Sequence, residues 1–111
     1  MIEIELKSDV RWVVKFRESN NWQLGLYRPE FRSKDEIYKL EKHDAPELFY
    51  LVKGEIVLVL SKDGKEIKEV KMEKNKVYIV DEWHNAYSPR GDGLAIVIEK
   101  PDIKTEFLSI K

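Results

Sequence analysis

The stretch E-L-F-Y-L-V-K-G-E-I-V-L-V-L-S-K-D-G-K-E-I-K-E-V-K-M, residues 47–72, decides the fold class. It holds three short runs, Leu48–Val52, Ile56–Leu60 and Ile67–Met72, separated by Lys53-Gly54 and Asp63-Gly64. The runs are β-branched, aromatic or leucine-rich and too short for typical helices. Asp-Gly between two such runs is a type I′ hairpin signal, because that turn wants left-handed backbone at both central positions. The stretch therefore predicts three antiparallel strands.

The same pattern continues in both directions. Upstream, residues 37–43 alternate, with Ile37, Lys39, Glu41 and His43 on one side. Trp22–Tyr27 and Trp12–Phe16 are further strands, separated by the turn signal Asn20-Asn21. Ile2, Ile4 and Leu6 alternate with Glu3, Glu5 and Lys7, which reads as a strand with one buried face. Downstream, Asn75 tolerates left-handed backbone and precedes Val77–Val80. His84–Ser88 follows, then the turn Pro89–Gly93 and the run Leu94–Ile98. Helix is expected only at 30–36 or 102–108. Many short strands at this spacing predict an all-β, antiparallel sandwich or barrel. With 111 residues there is room for one such domain, 1–111.

Composition removes several classes. The 20 Lys+Arg and 21 Asp+Glu give a net charge of -1, which argues against a nucleic-acid binder that must neutralise phosphates. No run approaches about 18 apolar residues, so no membrane-spanning helix is expected. The first residues lack a basic and apolar leader, and there is no cysteine, so disulfides, thiolate catalysis and Cys zinc sites are absent. The expectation is a cytoplasmic domain. The Lys/Glu richness without Cys leans towards thermophilic composition. No G-x-S-x-G elbow and no Gly-rich phosphate loop occur. Ile56–Leu60 is apolar at five consecutive positions, so both faces of that strand must leave water. A second sheet or a partner chain must cover the outer face, and a homodimer is expected.

The chain has two histidines, His43 and His84. Glu41 shares a strand face with His43, and Glu47 keeps the same parity unless Pro46 introduces a bulge. Glu47 leads a buried run, where a carboxylate needs a compensating partner. One strand supplying several donors and a distant strand supplying His84 is a workable metal geometry inside a barrel.

The spacing E-K-H-D-A-P-E-L-F-Y-L-V-K-G (41–54) resembles the first motif of the cupin superfamily, HxH(x)3–4E(x)6G. Glu41 stands where the first His is usual; His43, Glu47 and Gly54 match the second His, the Glu and the Gly. The second motif, G(x)5PxG(x)2H(x)3N, is met in part over 73–88. His84 matches its His and Ser88 takes the Asn position, while Glu73, Ile79 and Asp81 replace the two Gly and the Pro. The resemblance implies a cupin-like antiparallel β-barrel, a double-stranded β-helix or jelly roll. It also implies a divalent metal held by His43, Glu47 and His84, with Glu41 as fourth ligand or, if not a ligand, as general base. Two His and two carboxylates neutralise a 2+ ion and make it a weaker Lewis acid than a three-His set would. Without Glu41, two His and one carboxylate suit non-haem Fe(II). Mixed N/O ligation does not separate Fe, Mn, Zn and Ni.

By the same analogy Trp22, Tyr27, Phe49, Trp83 and Tyr87 line a pocket for a small molecule. Trp83 and Tyr87 also flank His84 as orienting groups, and Arg28 or Arg32 hold a substrate anion. The implied activity is isomerase, lyase or dioxygenase chemistry on a small polar substrate. The alternatives are a non-catalytic small-molecule-binding cupin and a metal-free relative of sugar-nucleotide isomerases.

Overall fold

The computed structural model describes all residues, Met1–Lys111. Ten strands form two five-stranded antiparallel sheets packed face to face. The first sheet has the order β1 (Trp12–Glu18), β2 (Trp22–Tyr27), β9 (Leu94–Glu99), β4 (Glu47–Lys53), β7 (Val77–Val80). The second has the order β10 (Thr105–Ser109), β3 (Lys39–His43), β8 (Trp83–Tyr87), β5 (Val57–Ser61), β6 (Lys68–Lys71). Apart from the hairpins β1–β2 and β5–β6, consecutive strands alternate between the sheets, as in a jelly roll. No helix is long and apolar enough to cross a membrane.

Period-two burial explains the layers. In β4 the inner row is Glu47, Phe49 and Leu51, all buried, while Leu48 and Tyr50 face out. The inner rows of both sheets meet in a core of Phe49, Leu51, Ile56, Leu58, Met72, Val80, Ala86, Ala95 and Val97. Each fully buried aliphatic side chain here contributes roughly 1.5–3 kcal/mol.

β5 is covered on both faces by its own chain. Ile56 and Leu58 point into the core. Val59 points the other way, into a second cluster with Ile37 and Leu40, walled by Phe31, Ile67, Trp83, Tyr87 and Ile110. The segment before β3 and the C-terminal residues therefore roof the second sheet. The uninterrupted apolar run needs no partner chain to cover it.

Three turns show how local chemistry sets the topology. Gly54 has φ +74°, and a Cβ there would lie 2.2 Å from the Asp92 carbonyl oxygen, so this turn admits only glycine. Asn75 takes φ +65° as its type allows. At 63–64 the expected two-residue turn does not form. Gly64 has positive φ but Asp63 does not, and the connection runs over 62–67. The Asp63 carboxylate instead accepts the backbone N–H groups of Lys65 (2.8 Å) and Glu66 (2.9 Å), which organises a longer loop.

Two further expectations are corrected. Ile2–Leu6 joins neither sheet, and no strand of the chain lies alongside to pair with it. Of the two segments open to helix, 30–36 contains a single 3-10 turn, Lys34–Glu36, while 102–108 leads into β10. β10 pairs antiparallel with β3, from Thr105 opposite His43 to Ser109 opposite Lys39.

Candidate metal centre

Three strands and both sheets converge at one end of the sandwich. In β3, Lys39, Glu41 and His43 project inward while Leu40 is buried outward. β8 brings His84 and Ala86 to the same side, with Glu41 opposite His84 in the register. Glu47 enters from the facing sheet as the first residue of β4. Pro46 stands just before the strand, where its missing N–H breaks no ladder bond.

The side chains meet closely. Glu47 Oε1 lies 2.9 Å from His43 Nε2 and 3.0 Å from His84 Nε2. The two imidazole centroids are 5.0 Å apart. Glu41 Oε2 is 4.0 Å from His43 Nε2, and one donor atom each from Glu41, His43 and His84 lie within 4.8 Å of one another. His43, Glu47 and His84 side chains are 10%, 6% and 8% exposed, which lowers the local dielectric and strengthens each of these contacts.

The outer ring nitrogens fix the ring orientations. His84 Nδ1 is 2.8 Å from the Glu82 carbonyl oxygen. A carbonyl only accepts, so Nδ1 carries the proton, and the Nε2 of the neutral ring presents a lone pair to Glu47. His43 Nδ1 is 2.8 Å from Thr105 Oγ1, its register partner on β10. Glu47 Oε1 is fully buried and has no hydrogen bond of sound geometry. A buried carboxylate oxygen facing at least one imidazole lone pair needs a cation between them: a proton on a ring, or a metal ion.

A second buried carboxylate stands behind the first. Glu99, on the inner row of β9, accepts a hydrogen bond from Gln23 Nε2 at 2.8 Å across the β2–β9 register. Burial, reinforced by the neighbouring Glu47, pushes the Glu99 carboxyl up to about 7. Burial also works against ionised Glu47, but His43 and His84 outweigh it and hold that carboxyl well below the ordinary range. For His43, burial favours the neutral ring, yet Glu47, aided by Glu41 and Glu99, raises the net value above that of free histidine. Proton affinity is thus divided unequally between two adjacent acids, an arrangement typical of sites that move protons or hold cations.

The four donors open on a cavity of about 400 Å³. Its inner wall includes Tyr27 and Phe49, edge-to-face with centroids 6.4 Å apart, and Phe49 also meets His84 edge-on at 6.1 Å. Arg11, Glu30 and Lys39 add charge to the lining, and Trp12, Phe31 and Phe107 add aromatic surface.

Of the residues singled out in the sequence, Glu41, His43, Glu47, His84, Tyr27 and Phe49 line this cavity. The others do not. Trp22 is 40% exposed and packs on Phe16. Arg28 donates to the Ser8 and Gly91 carbonyls at 2.9 and 3.2 Å, and the Arg32 guanidinium lies against Gly91. Trp83 and Tyr87 sit on the opposite face of β8 from His84, in the outer cluster, and the Tyr87 hydroxyl donates to Glu69 at 2.5 Å. Alternation explains this: neighbours of an inward His at odd offsets point outward. His84 is oriented by Glu82 and His43 by Thr105 instead. The sequence reading missed Glu99, Gln23 and Thr105. Glu99 carried a signal, since it shares parity with the apolar inner positions Ala95 and Val97.

No protein-family model matches the sequence, and no curated protein matches it. Solved structures do. A cupin-2 domain-containing protein from Shewanella frigidimarina NCIMB 400 superposes with a TM-score of 0.62 at 16% identity, covering 84% of each chain. This is a cupin fold. The cobalt(II) form of HppE in complex with its substrate gives a TM-score of 0.65 at 16% identity, over 86% of this chain and 57% of that one. DMSP lyase DddQ from Ruegeria pomeroyi DSS-3 gives 0.60 at 13% identity, over 89% of this chain and 50% of that one. The cupin resemblance seen in the 41–54 motif thus extends to the whole architecture. One of these structures carries cobalt(II) beside its substrate, and the Glu/His/His group here has the donor chemistry to bind a metal.

Proposed function

We propose that this single-domain cupin binds one divalent metal through His43, His84 and Glu47, with Glu41 as a fourth donor, and acts on a small polar molecule in the adjoining cavity. The observation that carries the reading is the Glu47 oxygen set 2.9 and 3.0 Å from two imidazole nitrogens whose far sides are already tied to Thr105 and Glu82. Adjacent donors on a six-coordinate ion with bonds of about 2.1 Å lie about 3.0 Å apart, so this spacing is that of neighbouring ligands. Two histidines and one carboxylate leave open positions for a substrate. A bound ion supplies Lewis-acid polarisation of a substrate oxygen.

The chain's own groups supply the rest. Tyr27 and Phe49 exclude water from the inner wall. The Tyr27 hydroxyl is protonated at neutral pH, as an ordinary tyrosine is, and burial raises it further. Glu41, the most accessible of the carboxylates around the imidazoles, is placed to take a proton from a bound substrate if it is not itself a ligand. The cavity volume matches a small molecule rather than a polymer segment. Cobalt(II) HppE supports metal-assisted chemistry on this scaffold, and the DMSP lyase supports lyase chemistry; the reaction class stays at isomerase, lyase or dioxygenase. We place the protein in the cytoplasm as a homodimer.

A metal-free reading also has support, because 2.9 Å is a hydrogen-bond distance and Glu47, against burial, raises His43 above free histidine. In that case the histidine–carboxylate cluster binds or isomerises its ligand directly. Elemental analysis after reconstitution separates the two. About one equivalent of metal in the wild type, and under ~0.1 in His84→Ala, supports the metal reading. Absence of metal in both, with ligand-induced thermal shifts that survive a chelator, overturns it.

A further inference from the structure

We propose that the cavity takes a small carboxylic acid as its anion, held at the rim by Arg11 and Lys39 so that the other end of the molecule reaches the Glu41, His43, Glu47 and His84 cluster. This rests on the reading of the site given above and names the substrate class for it.

Lys39 stands on the inner row of β3, in line with Glu41 and His43. A lysine on an inward row is costly unless the row opens on water or on an anion. The carboxylates that pair elsewhere in the chain serve Arg17, Lys71, Lys76, Lys100 and the two histidines, and none serves Lys39 or Arg11. The Lys39 ammonium lies instead 4.4 Å from the centroid of the Phe107 ring and 5.6 Å from that of Tyr38. Phe107 is opposite Glu41 in the β3–β10 register and so diagonal to Lys39. Ring faces attract an ammonium and hold its long stem without neutralising it. Unpaired lysines are ordinary on this surface. Lys39 and Arg11 differ from the rest because, histidines aside, they are the cations that line the cavity.

Arg11 immediately precedes β1. Its carbonyl accepts the Arg28 N–H at 2.8 Å, one step beyond the Trp12–Tyr27 register pair, which fixes the root of its side chain beside Tyr27. Arg17 and Arg28 use their guanidinium donors on Ser19, Asn20, Asp102, Ser8 and Gly91. Arg11 uses none within the chain. Burial raises the Tyr27 phenol and the Arg11 charge opposes that rise, which sets the guanidinium near the hydroxyl. The hydroxyl adds a neutral donor to the same wall. The anion-holding role expected of Arg28 or Arg32 therefore falls to Arg11 and Lys39.

Charge and size select a carboxylate. Arg11 and Glu30 are exposed and Lys39 is half-buried, so these three mark the rim, while Glu41, Glu47 and Glu99 belong to the donor end. Two positive charges against one negative leave the rim at net +1. One carboxylate matches that, whereas a phosphate ester, at about −1.5 to −2, exceeds it. The planar fork of Arg11 also fits a carboxylate through paired hydrogen bonds. Lys39 and Glu41 are two residues apart on a strand, about 6.7 Å, so a chain of about five or six atoms spans from the ammonium to the donors. Trp12 and Phe31 line the cavity and suit an apolar middle to that chain.

The test uses oxo and hydroxy acids of about four to eight carbons, with the second oxygen at the far end, a size suited to such a cavity. Each is paired with its primary amide and its phosphonate counterpart. All are titrated by calorimetry into the wild type and into Arg11→Gln/Lys39→Met, and metal content is measured on the same samples. Lys39→Met keeps a stem against Phe107 and removes the charge. The expected result is an acid that binds the wild type at least about 10-fold tighter than its amide, a preference below about 3-fold in the double variant, and about one equivalent of metal in both. A metal-loaded wild type that binds acid and amide alike, or no acid below about 10 mM, overturns the carboxylate site and leaves the metal centre. An acid preference that survives in the double variant does the same. Phosphonates that bind more tightly than the acids, and lose that advantage in the double variant, overturn the carboxylate assignment. A metal-free protein whose acid preference is still lost in the double variant upholds the carboxylate site and overturns the metal reading instead. If the double variant fails to fold, Arg11→Gln alone, at an exposed position, decides.

Discussion

The two ends of the sandwich interior are built from the same strands and do opposite things. Along the inner row of β4 the side chains run Glu47, Phe49, Leu51; along β9 they run Glu99, Val97, Ala95; along β8, His84, then Ala86. At one end the rows close on Leu51, Ile56 and Met72 as ordinary apolar packing. At the other, each row ends in a titratable group, and those groups face one another across the cavity. The backbone is alike at both ends. What differs is that apolar burial at the closed end supplies stability, so the open end can tolerate buried carboxylates that are costly by themselves.

The comparison predicts a separation of effects. The largest belongs to the closed end: Ile56→Ala should destabilise by about 2–5 kcal/mol in denaturant unfolding. Metal stoichiometry at temperatures where that variant stays folded should not change. An Ile56→Ala protein that loses the metal in proportion to stability would show that the ends are not independent. Next comes the orienting group of His43. Thr105→Val removes the 2.8 Å contact to Nδ1 and should weaken metal affinity about 10–100-fold, read by competition with a chromophoric chelator, with little change in apo stability.

The smallest effect is the pH behaviour of Glu99. Its folded-state carboxyl, near 7, lies above the value of an unfolded glutamate. The folded form therefore binds this proton more tightly. The protonated-state stability is fully present below the unfolded value and declines as pH rises towards 7. Glu99→Gln should abolish that decline, so the variant's melting temperature relative to wild type should rise between about pH 4.5 and 7 in metal-free protein. A difference that is flat with pH would mean Glu99 is ionised throughout.

Much of this was legible in the sequence, for a physical reason. Short aromatic or β-branched runs next to turn residues advertise strands, so Trp22–Tyr27 after Asn20-Asn21 and Val77–Val80 after Asn75 were read to the residue. Glu47 was legible because it leads a buried apolar run, and His43 and His84 because they are the chain's two histidines and fall at the spacing of the cupin motifs. Three things were not. Glu99 ends an apolar run, where a charge reads as a strand terminator; its parity with Ala95 and Val97 was the one hint of an inward side chain, and the run is apolar at the other parity too. Trp83 and Tyr87 are close to His84 in sequence, but strand parity sends them to the opposite face. β10 has Glu106 and Phe107 exposed and so carries no clear alternation. Ile2–Leu6 is the reverse case: a strand signal with no partner strand inside the chain.

Glu47 hangs from one sheet and both imidazoles from the other. The cluster is therefore a clasp across the mouth of the sandwich. Any breathing motion that parts the sheets there must unfasten it, and the histidine ring signals in solution spectra should report that loosening directly.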